Sequence, residues 1–325
     1  MATAEPKVDI LLVAPFDEHT TESLEKHFTL HKLYESSDPK LFITEVGAKI
    51  KGIACNKPSH PDDELFRALP NVEILSSYTS GIDHIDVKAA VDRKIIITNT
   101  ASALAVEVAD LTLALTLATV RQIPQADRFI REGQWMQQNF PLSPSLRGRK
   151  VGIFGLGAIG KEAAKRFEAF GVTVEYCNRR PDPSVPYVYH SSLVSLAESV
   201  DILVILAPGS AQTQHAVNAE VLKALGSNGI LISVARGCIV DENALIDALT
   251  KNELLAAGLD VYEKEPSVPA HLMKFPNLVL LPHVGSGTEI TRRDMGQNVV
   301  DNLVSWFSHG KPLTPVPEVR HLLQN

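Results

Sequence analysis

Lys150-Val151-Gly152-Ile153-Phe154-Gly155-Leu156-Gly157-Ala158-Ile159-Gly160 decides how this chain is read. A short apolar strand runs into Gly-x-Gly-x-x-Gly, and a helical pattern over residues 161–170 follows at once. Each glycine has a physical task. Gly155 permits the tight turn out of the strand, Gly157 lets a pyrophosphate approach the backbone, and Gly160 lets the helix pack closely on its strand. The helix N-terminus offers N–H groups and a partial positive charge to phosphates. Gly171 stands where a helix C′ residue is expected. Glycine triplets also occur in flexible turns. The strand before this one and the helix after it are what point to a dinucleotide site, with Leu156, Ala158 and Ile159 lining it beside the glycines.

Strand and helix patterns alternate on both sides of this loop. Upstream, residues 9–14, 52–54, 72–77 and 95–98 read as strands and 20–27 as a helix. Downstream of a helical stretch at 103–121, strands are expected at 151–154, 172–176, 202–206, 230–234, 258–261 and 279–281. Apolar strands separated by helices imply parallel sheets covered on both faces. A last helix is expected to begin near Ser286, where Ser286-Gly287-Thr288-Glu289 has capping-box spacing, and to reach about Phe307. Pro312, Pro315 and Pro317 preclude further regular helix, so the tail is expected to return to the first unit. The expected fold class is α/β: two Rossmann-like, doubly wound parallel-sheet domains, one flavodoxin-like and one dinucleotide-binding, with an interdomain cleft. The expected division is residues 1–101 plus 290–325 for the substrate domain and 102–289 for the dinucleotide-binding domain.

Bulk properties narrow the function classes. The chain has 325 residues, 45% apolar and 21% charged, ordinary for a soluble globular protein. Its net charge of -7 argues against a nucleic-acid partner. Cys55, Cys177 and Cys238 show neither metal nor disulfide spacing, so no metal and a reducing, cytoplasmic location are expected. Residues 10–14 read as a first strand, not a signal peptide. The most apolar long stretch, residues 101–120, is interrupted by Glu107 and Asp110. It is expected to be too short and too charged to span a bilayer, and to be a helix buried between domains, so no membrane partner is expected.

An NAD-preferring site places an acid about twenty residues past the glycine loop, where it binds the ribose hydroxyls. Here the second strand ends Val174-Glu175-Tyr176-Cys177-Asn178-Arg179-Arg180. Glu175 lies inside the strand, and two arginines stand where the acid would be. A guanidinium fork matches a phosphate, so the reading is preference for NADPH, with NADH possible, through Asn178, Arg179 and Arg180. The alternative is a solvated basic turn ended by Pro181, and Asp182 shortly after keeps NAD open.

Three further strands run into Ala235-Arg236-Gly237, Tyr262-Glu263-Lys264-Glu265-Pro266 and Pro282-His283-Val284-Gly285. In an open parallel sheet, ligands bind beyond the carboxyl ends of the strands. Arg236, Glu265 and His283 are therefore expected to converge. Reduction of a 2-oxo acid needs a hydride to carbon and a proton to the carbonyl oxygen. An imidazolium can donate that proton, a neighbouring carboxylate favours the imidazolium, and an arginine can pair with the substrate carboxylate and polarise the carbonyl. Singly, each has a bland reading: a core histidine, a structural ion pair, a solvated glutamate. Together, behind a dinucleotide loop, they read as a catalytic set.

These segments resemble the D-isomer-specific 2-hydroxyacid dehydrogenase family. The glycine loop, Val234-Ala235-Arg236-Gly237-Cys238-Ile239-Val240-Asp241, Gly258-Leu259-Asp260-Val261-Tyr262-Glu263-Lys264-Glu265-Pro266 and Leu281-Pro282-His283-Val284-Gly285 follow in family order. The resemblance implies that His283 is the acid/base, Glu265 its partner, and Arg236 the binder of carbonyl and carboxylate. It further implies cofactor contacts from Ala207, Pro208, Thr213, Val234, Ala235, Arg236, His283 and Gly285, with Asp260 on the nicotinamide amide. Ser77-Tyr78-Thr79-Ser80-Gly81-Ile82-Asp83 resembles the family loop that grips the substrate carboxylate through backbone N–H groups, here those of Ser80 and Gly81. Asn99-Thr100 resembles the family hinge. Trp135 resembles either a residue that reaches a neighbouring subunit's site or a dimer-core aromatic, and a homodimer is implied.

Asn178-Arg179-Arg180, Leu281-Pro282-His283-Val284-Gly285-Ser286-Gly287-Thr288-Glu289 and Leu313-Thr314-Pro315-Val316 resemble the NADPH-using glyoxylate/hydroxypyruvate and hydroxyphenylpyruvate reductases, with 2-ketogluconate reductases close by. The expected reaction is NADPH-dependent reduction of hydroxypyruvate or glyoxylate to the D-2-hydroxy acid. Formate dehydrogenases of the family have a glutamine in place of Glu265, which argues against formate. Phosphoglycerate dehydrogenases often carry an extra regulatory domain, for which no length is expected here. A different class, nucleotide-gated corepressors on the same fold, retains the same triad and stays open.

Overall fold

The computed structural model describes residues 6–324. They form two compact units: one runs to Leu104 and resumes at Thr288, and the other is Ala105–Gly287.

The first unit is a five-stranded, all-parallel sheet of Val8–Leu12 (β1), Phe28–Lys32 (β2), Gly52–Cys55 (β3), Ile74–Ser77 (β4) and Ile96–Thr98 (β5), in the order β2-β1-β3-β4-β5. Its central registers stack apolar residues: Ile10 lies opposite Leu30 and Gly52, and Leu75 opposite Ile53 and Ile97. The strand pattern does not announce β2, because Phe28-Thr29-Leu30-His31-Lys32 is largely polar. It forms as an edge strand, with His31 Nε2 2.7 Å from Asp9 Oδ1 on β1. The tail does return to this unit: Val316 donates to the Ile97 carbonyl, and Thr98 pairs antiparallel with Pro315. Fully buried Asn302 fixes that return, since its Oδ1 accepts from the N–H groups of Leu313 and Thr314.

The second unit holds seven parallel strands: Lys150–Phe154 (β6), Thr173–Cys177 (β7), Val188–His190 (β8), Ile202–Ile205 (β9), Ile230–Ser233 (β10), Ala256–Leu259 (β11) and Leu278–Leu280 (β12). Their order is β12-β11-β10-β9-β6-β7-β8. The chain winds outward from β6 to β8 and then returns to the other side of β6 at β9. That reversal is a topological switch point, where an open α/β sheet leaves a crevice at its carboxyl edge. β8 is hidden in the sequence because Pro181, Pro183 and Pro186 precede a strand of three residues.

The structure differs from the sequence expectation at two helices. The last helix is Glu289–His309, and its N-cap is Thr288, whose Oγ1 accepts from the Thr291 N–H at 3.2 Å. Ser286 caps nothing in that helix, because Gly287 N–H donates to the Val284 carbonyl and holds these residues in a turn. Glu289 is therefore the first helical residue, too early to close a capping box. The helix Ala101–Val120 is neither too short nor too charged to span a bilayer. This helix has 20 residues, with an 18-residue stretch of mean hydropathy 1.8, and is by length and composition long and apolar enough to cross a membrane. Within the second unit, its far end packs on β11: a Cβ at Gly258 would lie 2.5 Å from Thr119 Oγ1. The buried hydroxyls of Thr112, Thr116 and Thr119 each donate to the carbonyl four residues back, so these polar atoms are satisfied inside the helix.

Candidate active site

Sheet order sets the order of the site residues of the second unit. Along the carboxyl edge stand His283 after β12, Asp260 and Glu265 after β11, Arg236 after β10, Ala207, Pro208 and Thr213 after β9, the glycine loop after β6, and Asn178, Arg179 and Arg180 after β7.

The glycine loop is built for close approach. Gly155 has φ +100°, and a Cβ there would lie 2.3 Å from the Ala207 nitrogen. The loop after β6 therefore packs directly on the loop after β9, at the switch point. A Cβ at Gly160 would lie 2.5 Å from the Gly155 carbonyl, which locks the helix Ala158–Ala169 against the turn. A Cβ at Gly157 would meet nothing within 4 Å, so this backbone faces open space. No side chain caps that helix. Open backbone at a bare helix N-terminus fits a dinucleotide pyrophosphate. Asn178 secures the loop from the next strand: its Oδ1 accepts from Leu156 N–H at 2.7 Å, and its Nδ2 donates to the Leu156 carbonyl at 3.4 Å. Thr213 Oγ1 likewise closes the loop after β9, donating to the Pro208 carbonyl at 2.8 Å.

Glu175 is not a ribose ligand by position. It is buried inside β7, 2.7 Å from His190 Nε2, 2.7 Å from Ser199 Oγ and 3.0 Å from Lys150 Nζ. Burial alone would raise its carboxyl, but these donors together hold it below the usual carboxylate range. Arg179 and Arg180 are exposed at the end of the same strand.

His283 and Glu265 meet: Nδ1 and Oε2 are 2.6 Å apart. The other carboxylate oxygen, Oε1, accepts from the Tyr262 N–H at 3.1 Å. His283 sits in the left-handed region at φ 56°, uncommon for a residue with a side chain and typical of a functional constraint. The hold on that conformation comes from Asp260, which is fully buried. Its Oδ1 accepts from Val284 N–H at 2.8 Å and its Oδ2 from Gly285 N–H at 2.9 Å, the two amides directly after the imidazole. Burial pushes the Asp260 carboxyl upward, and these two N–H groups oppose that rise.

Sequence reasoning missed Tyr262. Its backbone positions Glu265, and its hydroxyl donates to the Leu281 carbonyl at 2.9 Å, two residues before His283. One buried residue thus braces both members of the pair. Burial raises its phenol to about 12. The available signal was an aromatic between two acids, which reads equally well as core.

Arg236 lies at the end of β10, between β9 and β11, and its Nη1 donates to the Ala235 carbonyl at 2.8 Å. The following Gly237 carries the packing. A Cβ there would lie 1.9 Å from the Tyr262 carbonyl carbon and oxygen. Gly237→Ala is expected to force the Tyr262 backbone outward, lowering stability by about 1–3 kcal/mol and lowering activity with it. Thermal unfolding of the variant beside its steady-state kinetics checks this, and an unchanged Tm would show that the loops can part freely.

In the first unit, two carbonyls of the loop at residues 77–83 accept side-chain hydrogen bonds: Asn99 Nδ2 donates to Ser80 at 2.7 Å and Thr79 Oγ1 to Gly81 at 2.6 Å. His84 is buried. Trp135 is exposed in the second unit.

A glycine loop at the switch point of a parallel sheet, with an imidazole–carboxylate pair on the same edge, defines a nicotinamide-dinucleotide oxidoreductase. The NAD-binding domain of D-isomer-specific 2-hydroxyacid dehydrogenases matches residues 113–285. The chain is 42% identical to glyoxylate/hydroxypyruvate reductase A of Arabidopsis thaliana, over 95% of this chain and 99% of that protein. It is 41% identical to the hydroxyphenylpyruvate reductase of Plectranthus scutellarioides, again over 95% and 99%. The crystal structure of the NADPH-dependent glyoxylate/hydroxypyruvate reductase of Sinorhizobium meliloti, in complex with NADP and malonate, superposes with a TM-score of 0.89 at 45% identity, covering 97% of this chain and 98% of that one. The chain belongs to the D-isomer-specific 2-hydroxyacid dehydrogenase family.

Proposed function

We propose that this protein reduces glyoxylate or hydroxypyruvate to the D-2-hydroxy acid with NADPH. The observation that carries the reading is the 2.6 Å His283–Glu265 pair at the edge where the glycine loop opens. Relatives named for this reaction, over nearly the whole chain, support it. A bound nicotinamide supplies the hydride. His283 donates the proton to the carbonyl oxygen from Nε2, while Glu265 accepts from Nδ1 and keeps the ring oriented. Arg236 pairs with the substrate carboxylate and draws charge onto the carbonyl oxygen. The Asp260 carboxylate holds the His283 turn; fully buried, it is not open to the nicotinamide amide.

The exposed Arg179-Arg180 pair, with no acid at the end of β7, supports NADPH over NADH. Replacing both arginines with alanine is expected to raise KM for NADPH roughly ten- to hundredfold while KM for NADH stays within about twofold. Equal effects on both cofactors would refute the 2′-phosphate assignment. Exposed Ile130, Trp135 and Met136 cluster in sequence on the second unit and support a homodimer. Free cysteines throughout the described residues fit a cytoplasmic location.

The test is a substrate panel: glyoxylate, hydroxypyruvate, 4-hydroxyphenylpyruvate and 2-ketogluconate, each with both cofactors. Highest kcat/KM is expected with NADPH and one of the first two. Tight cofactor binding without turnover of any 2-oxo acid would instead favour a binding module.

A further inference from the structure

Asp182 is the one carboxylate in the stretch from Asn178 to His190, two residues beyond the arginine pair. Left loose, it would place a negative charge beside the turn that is to receive a phosphate. It is not loose. Its Oδ2 lies 2.7 Å from Lys161 Nζ. Its Oδ1 accepts from Ser184 N–H at 2.9 Å and Ser184 Oγ at 2.6 Å. Lys161 Nζ also donates to Ser184 Oγ at 3.2 Å. The Asp182 N–H donates to the hydroxyl of buried Tyr176 at 2.8 Å, so the backbone is anchored from below as well. Lys161 stands in the first turns of the helix Ala158–Ala169 that leaves the glycine loop. The turn Arg179-Arg180-Pro181 is thus fixed at both ends, by Asn178 on Leu156 and by Asp182 on Lys161 and Tyr176.

An exposed ion pair by itself contributes little. This one differs because the carboxylate takes three donors and its own amide is tied to a buried ring. These donors hold the Asp182 carboxyl well below its usual range, and Lys161 is the cation among them.

We propose that Lys161 is a specificity-determining residue: by holding the Asp182 carboxylate it cancels the negative charge that closely follows the arginine turn and lets that turn select a 2′-phosphate. This rests on the NADPH reading above and names a second element of it. Lys161 is a positioning residue here, acting through Asp182.

Three variants separate this from direct phosphate contact. In Lys161→Ala, the Asp182 charge is unmasked. In Asp182→Asn, the charge is gone while the side-chain oxygen still accepts from Ser184. The double variant has neither charge. Calorimetric titration with adenosine 2′,5′-bisphosphate and with 5′-AMP reports phosphate discrimination without turnover, and KM for NADPH and NADH reports it in catalysis. Lys161→Ala is expected to reduce the preference for the 2′-phosphorylated ligand about tenfold. Asp182→Asn is expected to retain the preference, and the double variant to restore it. If Lys161→Ala discriminates as the parent does, or if the double variant is as impaired as the single one, the proposal is overturned. A parent protein that binds the two nucleotides equally would overturn the NADPH reading itself, whereas a discriminating parent with an unaffected Lys161→Ala overturns only the role of Lys161.

Discussion

His283→Ala is expected to lower kcat for 2-oxo acid reduction by roughly 10²- to 10⁴-fold, with Kd for NADPH held within about twofold. The 2.6 Å contact with Glu265 occupies Nδ1 and leaves Nε2 for the proposed proton transfer. No other imidazole is expected to stand in. His84 is buried in the first unit after the loop at residues 77–83. The backbone at 283 lies at φ 56°, where alanine is strained, so His283→Asn is the matched control: asparagine tolerates the left-handed region and cannot act as the acid. Both variants should lose turnover and keep the cofactor. Near-normal rates in either would move the acid elsewhere.

The second large effect is at Arg236. Arg236→Ala is expected to lower kcat/KM for glyoxylate roughly 10²- to 10³-fold, with KM raised and kcat reduced, because it removes both a carboxylate partner and a donor to the developing alkoxide. Arg236→Lys keeps the charge but loses the fork, and should fall between alanine and the parent. A rise in KM for NADPH with an unchanged KM for glyoxylate would assign the guanidinium to the cofactor instead.

Much of this was legible in the sequence because the chemistry clusters at strand ends. Gly155, Gly157 and Gly160 each answer a backbone requirement that a side chain would violate, so their spacing carries structural meaning before any coordinates. Arg236, Glu265 and His283 each follow an apolar run, and parallel order places such positions on one edge. The hidden parts were those without an apolar pattern. β2 is a polar edge strand, and β8 is three residues long behind prolines. The Ser286 capping reading failed because spacing cannot tell which of two hydroxyls caps: the turn closed by Gly287 on Val284 gives that place to Thr288. The bracing of the site by Tyr262 and Asp260 also could not be read, since it depends on loops of neighbouring strands meeting through backbone amides and carbonyls.

The most direct measurement is a single turnover. Enzyme loaded with one equivalent of NADPH is mixed with excess glyoxylate, while nicotinamide absorbance and the product acid are followed together. Absorbance is expected to disappear in step with formation of one equivalent of the hydroxy acid, and His283→Asn to hold its NADPH unoxidised on the same timescale. Oxidation of NADPH by the His283→Asn protein at the parent rate would contradict this.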